Sequence, residues 1–215
     1  MTRIKICGIT EAEQALAAAE GGADYLGLVF ARSPRQINPQ RAVSIVHAVS
    51  NTVEKPQVVG VFVNLPASDI NFIAESCRLD WVQLSGDESW EFCLQINKPV
   101  IRAIHVFYNT KAEFILNEIK TGFTYLPPEN LKILLDSRTK EAFGGTGKTF
   151  DWKLAREVSA RYPVFVGGGL NPENVAQMVK DVQPWGVDVS TGVETKGKKD
   201  IEKIKQFIRK VKSTR

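Results

Sequence analysis

The chain has 215 residues, 43% of them hydrophobic and 24% charged, with a formal net charge of +4. That length holds one large domain or two small ones with a proper core; no apolar run reaches membrane-span length, and the N-terminus lacks a signal-peptide h-region. Three cysteines without CxxC spacing indicate neither a disulfide framework nor a zinc site, two histidines are too few for most metalloenzymes, and the setting expected is reducing and cytoplasmic.

Strand-like and helix-like segments alternate along the chain. An apolar-alternating run from Arg3 to Ile6 reads as a strand and leads through Cys7 and Gly8 to a helix start. Thr10 is expected as N-cap, with Glu13 closing a capping box and Ala12, Ala15, Leu16 and Ala19 on one face. A second strand begins near Asp24, and Asn38-Pro39 opens a helix marked by Ala42, Val43 and Val46. Further strands begin near Gln57, Asp80 and Lys98. They are followed by stripes at Ile70, Ile73, Ala74 and Cys77, at Trp90, Cys93 and Leu94, and at Phe114, Ile115 and Ile119. Residues 121–130, with Pro127-Pro128, form a loop before a sixth strand near Leu131, whose helix shows Leu154 and Val158. The seventh strand begins near Pro163, and its helix at Asn171-Pro172 shows Val175, Met178 and Val179. The eighth begins near Gly186. Residues 196–215 then carry nine Lys/Arg against two acids. Such a tail can serve nucleic acid, but Ile201, Ile204, Phe207, Ile208 and Val211 form a helical stripe, which puts the lysines on its solvated face. Neither nucleic acid nor membrane is expected as a partner.

Eight strand–helix units in this length fit the α/β class and a (β/α)8 TIM barrel, with an open doubly wound sheet as the alternative. No composition break divides the chain, so residues 1–215 are read as one barrel domain. In a barrel the active site lies where strands end. Those ends are Cys7, Phe30 to Arg35, Asn64, Gln83, His105, Asp136, Gly167-Gly168-Gly169 and Ser190-Thr191-Gly192. Cys7, between a strand and a helix start, is expected near unpaired N–H groups that favour thiolate; the alternative is a buried cysteine closing a strand. Cys77 and Cys93 fall on apolar helix faces, where a free cysteine is a small hydrophobe. The last two turns are where barrels bind phosphate, and each can aim backbone N–H groups at an anion; otherwise their glycines only make tight turns. The run Gly144 to Thr149 is not a P-loop, because that motif needs glycine at Ala142. It reads as a lid over the substrate, with Gly145 in it, or as an ordinary surface loop.

Several motifs together resemble phosphoribosylanthranilate isomerase over nearly the whole chain. They are Lys5-Ile6-Cys7-Gly8-Ile9-Thr10, Val82-Gln83-Leu84 with Gly86-Asp87-Glu88, Leu134-Leu135-Asp136-Ser137, Gly145 to Trp152, Gly168-Gly169-Leu170, and Asp188-Val189-Ser190 with Gly192-Val193-Glu194. The resemblance implies a cofactor-free and metal-free Amadori rearrangement in tryptophan biosynthesis: N-(5-phosphoribosyl)anthranilate becomes 1-(2-carboxyphenylamino)-1-deoxyribulose 5-phosphate. It implies Cys7 as general base, Asp136 as general acid and Arg35 at the anthranilate carboxylate. Gln83, Gly145, Gly168, Gly169, Ser190, Thr191 and Gly192 are then expected against the phosphosugar-anthranilate substrate, in a monomer or homodimer.

Two positions depart from the family pattern. Ser85 stands where histidine is usual, and Thr191 where serine is usual; the threonine keeps a hydroxyl. Two other readings of the same features are a histidine-pathway aldose–ketose isomerase, which uses paired aspartates where this chain has Cys7, and a non-catalytic barrel that only binds a phosphate ligand.

Overall fold

The computed structural model describes residues 1–107, 109–137 and 152–214. Eight parallel strands alternate with helices in chain order. They are β1 (Arg3–Cys7), α1 (Ala12–Gly21), β2 (Tyr25–Val29), α2 (Pro39–Val49), β3 (Gln57–Phe62), α3 (Ala67–Ser76), β4 (Trp81–Leu84), α4 (Trp90–Cys93), β5 (Val100–Val106), α5 (Ala112–Tyr125), β6 (Leu131–Ser137), α6 (Trp152–Ser159), β7 (Val164–Val166), α7 (Val175–Val182), β8 (Gly186–Val189) and α8 (Ile201–Lys212). The strands pair in sequence and β8 returns to β1, so the sheet is a closed barrel and not an open doubly wound sheet. Between β8 and α8 lie a 3-10 turn (Thr191–Val193) and a hairpin, β9 (Glu194–Thr195) and β10 (Lys198–Lys199).

A strand repeats every two residues, so its side chains divide between the barrel interior and the helix layer. Ile4, Ile6, Leu26 and Leu28 join the helix residues Ala15, Ala18, Ile45 and Ile208 in one buried cluster. The inward set is separate: Tyr25, Val59, Trp81, Ile101, Ala103, Leu134 and Phe165 fill the barrel interior, with Tyr25 edge-on to Phe165 at 5.3 Å. Continuing that inward phase toward the strand ends gives Lys5, Cys7, Gln83, His105, Asp136 and Asp188. The apolar plug below therefore pushes the polar groups to one mouth.

Several local expectations change. Residues 121–125, read as loop, continue α5, which ends only at Tyr125. Glu11, not Thr10, is the N-cap of α1, and the Gln14 carboxamide oxygen accepts from the backbone N–H groups of Thr10 (3.0 Å) and Glu11 (3.3 Å). The fourth helix is a single turn. The seventh begins at Val175, because the Asn171 side chain first accepts from the N–H groups of Glu173 and Asn174 and forms a turn. Lys199 is not on a solvated face: β10 turns it inward, where it is buried. The Asn38 cap does form, accepting from Arg41 N–H at 2.8 Å with Pro39 at the first helical position. Cys77 and Cys93 are buried in the helix layer.

Candidate active site

Cys7 closes β1 and is 8% exposed. The N–H groups that follow it, on Gly8 and Ile9, both donate to the Gly27 carbonyl, so they do not face the thiol. α1 starts only at Ala12. The expected thiolate support from a helix start is therefore absent. Burial is the largest influence on the Cys7 thiol and pushes it up; Lys5 and, less strongly, Lys199 pull it down, and the balance stays above the ordinary value. Lys5 lies two residues earlier on the same inner face, fully buried. Its ammonium is 2.7 Å from Asp188 Oδ1 across the β1–β8 seam. Burial works against that charge, and Asp188 and Cys7 overcome it, leaving Lys5 more basic than usual. The opposite wall is Gly27 of β2, where a Cβ would come within 2.7 Å of the Cys7 sulfur.

Asp136 lies near the end of β6, in register with His105 of β5. The carboxylate is 40% exposed, the imidazole 13%, and Oδ2 is 3.9 Å from Nδ1. The other ring nitrogen, Nε2, is 3.1 Å from the Ser85 carbonyl. Gln83 of β4 is buried and donates from Nε2 to the Ser85 hydroxyl at 2.9 Å.

Arg35 comes from the loop after β2, which a bridge between Val29 and Gln36 ties back to the strand. Its side chain passes over Gly8, where a Cβ would lie 2.4 Å from Arg35 Cδ. The guanidinium donates to Glu194 through Nε (2.6 Å) and Nη2 (3.1 Å). Glu194 also accepts from Lys199, which stands directly opposite it across the β9–β10 hairpin and donates to the Ser190 carbonyl at 3.0 Å. Lys196 and Gly197 both hold positive φ, 51° and 77°, which suits a two-residue hairpin turn. That tight turn sets Glu194 against Lys199.

The turn after β7 carries Gly168 and Gly169 at φ of 82° and 71°, a conformation that lets successive N–H groups face one side. It packs on the turn after β8: a Cβ on Gly192 would fall 1.8 Å from the Leu170 carbonyl oxygen. The turn after β8 thus packs, through Gly192, on the Leu170–Asn171 end of the turn after β7.

Two charged residues escaped the sequence reading. Lys5 and Lys199 looked like ordinary lysines, and only the seam and the hairpin reveal their partners. The period-two phase of β1 was the available signal for Lys5, since it places that residue on the same face as Cys7. Gly145 and the glycine-rich loop lie outside the described residues. Among the described residues no group of three or more His, Cys, Asp or Glu could hold a metal ion, and no helix is long and apolar enough to cross a membrane.

The model of the family described as N-(5'phosphoribosyl)anthranilate (PRA) isomerase matches residues 4–210. An N-(5'-phosphoribosyl)anthranilate isomerase of Dehalococcoides mccartyi is 51% identical over 212 residues, covering 99% of this chain and 96% of the relative. One from Geotalea daltonii is 44% identical, with 99% and 97% covered. The solved phosphoribosyl anthranilate isomerase of Thermotoga maritima superposes with a TM-score of 0.84 at 40% identity, covering 99% of both chains. Another solved isomerase, in complex with reduced 1-(o-carboxyphenylamino)-1-deoxyribulose 5-phosphate, gives 0.81 at 37% identity over 99% of both. Since the match runs from β1 through α8 and takes in the whole strand-end constellation, the chain belongs to the N-(5'-phosphoribosyl)anthranilate isomerase family of tryptophan biosynthesis.

Proposed function

We propose that Cys7 is the general base and Asp136 the general acid of this chain's Amadori rearrangement, with Arg35 at the anthranilate carboxylate and the β7 and β8 turns at the phosphate. The observation that carries this is the order around the barrel. Going from β6 through β7 and β8 to β1, the acid comes first, the anion cradle lies between, and the base follows. A phosphosugar anchored by its phosphate at β7 and β8 has its ring between the two proton-transferring groups. The solved relative that carries the reduced product analogue supports the same ligand here.

The chemistry then proceeds by two coupled exchanges. Protonated Asp136 gives its proton to the furanose oxygen as the C1–O bond breaks, and the anthranilate nitrogen supplies the electron pair that forms C1=N. The Cys7 thiolate takes the proton from C2, and the electrons move into C1=C2. That proton returns at C1 as the C2 hydroxyl becomes the ketone. The hydroxyl proton replaces the one Asp136 delivered, so the cycle closes without a cofactor. General acids and bases contribute on the order of 10²–10⁴ each.

Following loss of substrate fluorescence tests the assignment. Cys7→Ala is expected to lose at least about 10²-fold in kcat while keeping ligand binding, and Cys7→Ser to fail as well, because a hydroxyl is a poor base at neutral pH. Cys7→Asp is expected to retain some turnover. Parental turnover in Cys7→Ala would end the assignment. The three free thiols support a cytoplasmic setting, and residues 1–215 act as one domain. The Thermotoga maritima enzyme is dimeric; for this chain a monomer or homodimer is proposed, to be read from light scattering.

A further inference from the structure

Lys199 belongs to a two-stranded hairpin, yet its side chain is only 1% exposed. A buried ammonium needs partners for its hydrogens. Lys199 has them on two separate segments. It donates to Glu194 Oε1, the same oxygen that accepts from Arg35 Nε at 2.6 Å, and to the Ser190 carbonyl at 3.0 Å. The hairpin that carries it is pinned to the start of α8. Lys203 donates to the Glu194 carbonyl at 2.8 Å, Asp200 N–H to the Val193 carbonyl at 2.9 Å, and the Thr195 hydroxyl to Asp200 Oδ2 at 2.7 Å.

The two contacts act in different places. Glu194 divides its charge between two cations, so Arg35 keeps positive charge for a further anion; with Arg35 alone it would make a closed neutral pair. At Ser190, the carbonyl and the N–H of Thr191 belong to one planar trans peptide and point opposite ways. The ammonium, together with Val193 N–H at 3.4 Å, fixes that carbonyl and with it the direction of the Thr191 N–H.

We propose that Lys199 is a positioning residue that joins the two anion-binding ends of the site: through Glu194 it sets Arg35 for the carboxylate, and through the Ser190 carbonyl it sets the β8 turn for the phosphate. One ammonium thereby fixes the spacing at which a ligand with a carboxylate at one end and a phosphate at the other is recognised. The inference rests on Arg35 binding the carboxylate and the β8 turn binding the phosphate.

Inorganic phosphate and anthranilate, each used as a competitive inhibitor, report the two ends separately. Folded Lys199→Met is expected to raise both inhibition constants about tenfold or more, the worth of a charge-assisted bond at each end, and to raise KM more than it lowers kcat. Arg35→Met is expected to raise the anthranilate constant alone. In that background Lys199→Met should cost no further anthranilate affinity but the same factor in phosphate affinity, a split that general loosening of the fold would not give. A parental constant for either probe in Lys199→Met, or anthranilate losses that multiply in the double variant, would overturn the joining role and leave the two ends assigned. An unchanged anthranilate constant in Arg35→Met, or phosphate that does not compete in the parent, would overturn the assignment of the ends and the joining role with it. Nitrogen-15 NMR of the Lys199 ammonium in the unmodified enzyme needs no variant to fold. Its signal is expected to shift with inorganic phosphate and, separately, with anthranilate; a signal that moves with one probe alone, or with neither, would overturn the proposal.

Discussion

Arg35 and Glu194 meet side-on, guanidinium Nε and Nη2 against the two carboxylate oxygens at 2.6 and 3.1 Å. The pairing uses one fork of the guanidinium and leaves the end-on fork, Nη1 with Nη2, for another planar anion. Lysine can serve one partner as a point charge but cannot hold both. Arg35→Lys is therefore expected to lose about 10- to 100-fold in kcat/KM, the worth of one or two charge-assisted bonds. Equal kcat/KM for the two residues would remove the bidentate contact with the anthranilate carboxylate.

Glu194 is expected to act through Arg35 and Lys199. Burial tends to raise its carboxyl, but Arg35 and Lys199 overcome this and hold it below the ordinary carboxylate value. A lowered folded-state pKa means that this stabilisation is present above the unfolded value, about 4.3, and is lost as pH falls through the folded value. The parent Tm should therefore drop more steeply on acidification than that of Glu194→Gln. At neutral pH the variant should show a raised KM, since the guanidinium loses its brace. A Tm–pH curve with the same acid limb in both proteins would count against the brace.

Lys5→Met tests the charge beneath Cys7. The change leaves Asp188 without its buried partner, which costs about 3–5 kcal/mol when one member of such a pair is removed. It also removes the strongest influence favouring the Cys7 thiolate, so Cys7 should alkylate more slowly at pH 8 in the folded variant. Urea denaturation and the pH dependence of alkylation measure the two effects separately. An unchanged alkylation profile would show that Lys5 serves the fold alone.

With Cys7 as the proposed base, the net upward position of its thiol should govern the pH dependence of the parent enzyme. Burial keeps the protonated form ahead of the thiolate near neutrality, Lys5 and Lys199 opposing it. A base must be deprotonated to act, so kcat/KM should climb between pH 6 and 9, approaching tenfold per unit below the thiol pKa. The climb should be missing from Cys7→Asp, whose carboxylate is already ionised there. A flat parent profile would place the base elsewhere.

The phosphate site proposed at the β7 and β8 turns gives a steric prediction. The Gly192 site has a carbonyl oxygen 1.8 Å from where a Cβ would sit, so Gly192→Ala must push the β8 turn away from the β7 turn. KM should rise strongly, as it should in Gly168→Asp, which adds a negative charge to the cradle. Inorganic phosphate should compete with substrate in the parent and lose that effect in both variants. Unchanged KM in a folded Gly168→Asp would move the phosphate elsewhere.

The eight strand starts were legible because parallel strands buried on both faces read as short apolar runs, as in Gln57 to Phe62. Closure was not legible, since no local pattern says that Arg3 pairs with Gly186. Cys7 and Asp136 stand at the strand ends, and Arg35 in the loop after β2, where the sequence puts them. Lys5 and Lys199 were not legible, because a lysine is usually solvated and their burial depends on partners far along the chain or across a hairpin. The thiolate argument for Cys7 failed for a related reason. The N–H groups near it were assigned to a helix start, whereas the next strand's carbonyl takes them.

The Lys5–Asp188 bond spans 183 residues. During synthesis Lys5 emerges 183 residues before its counter-ion. A nascent chain that stops short of β8 holds a lysine that cannot be buried without leaving an uncompensated charge. The inner face of β1 must stay wet until the eighth strand arrives, so partial barrels gain little from early collapse. The same ion pair acts as a checkpoint on completeness: the charge beneath Cys7 and the closure of the barrel arrive in one event.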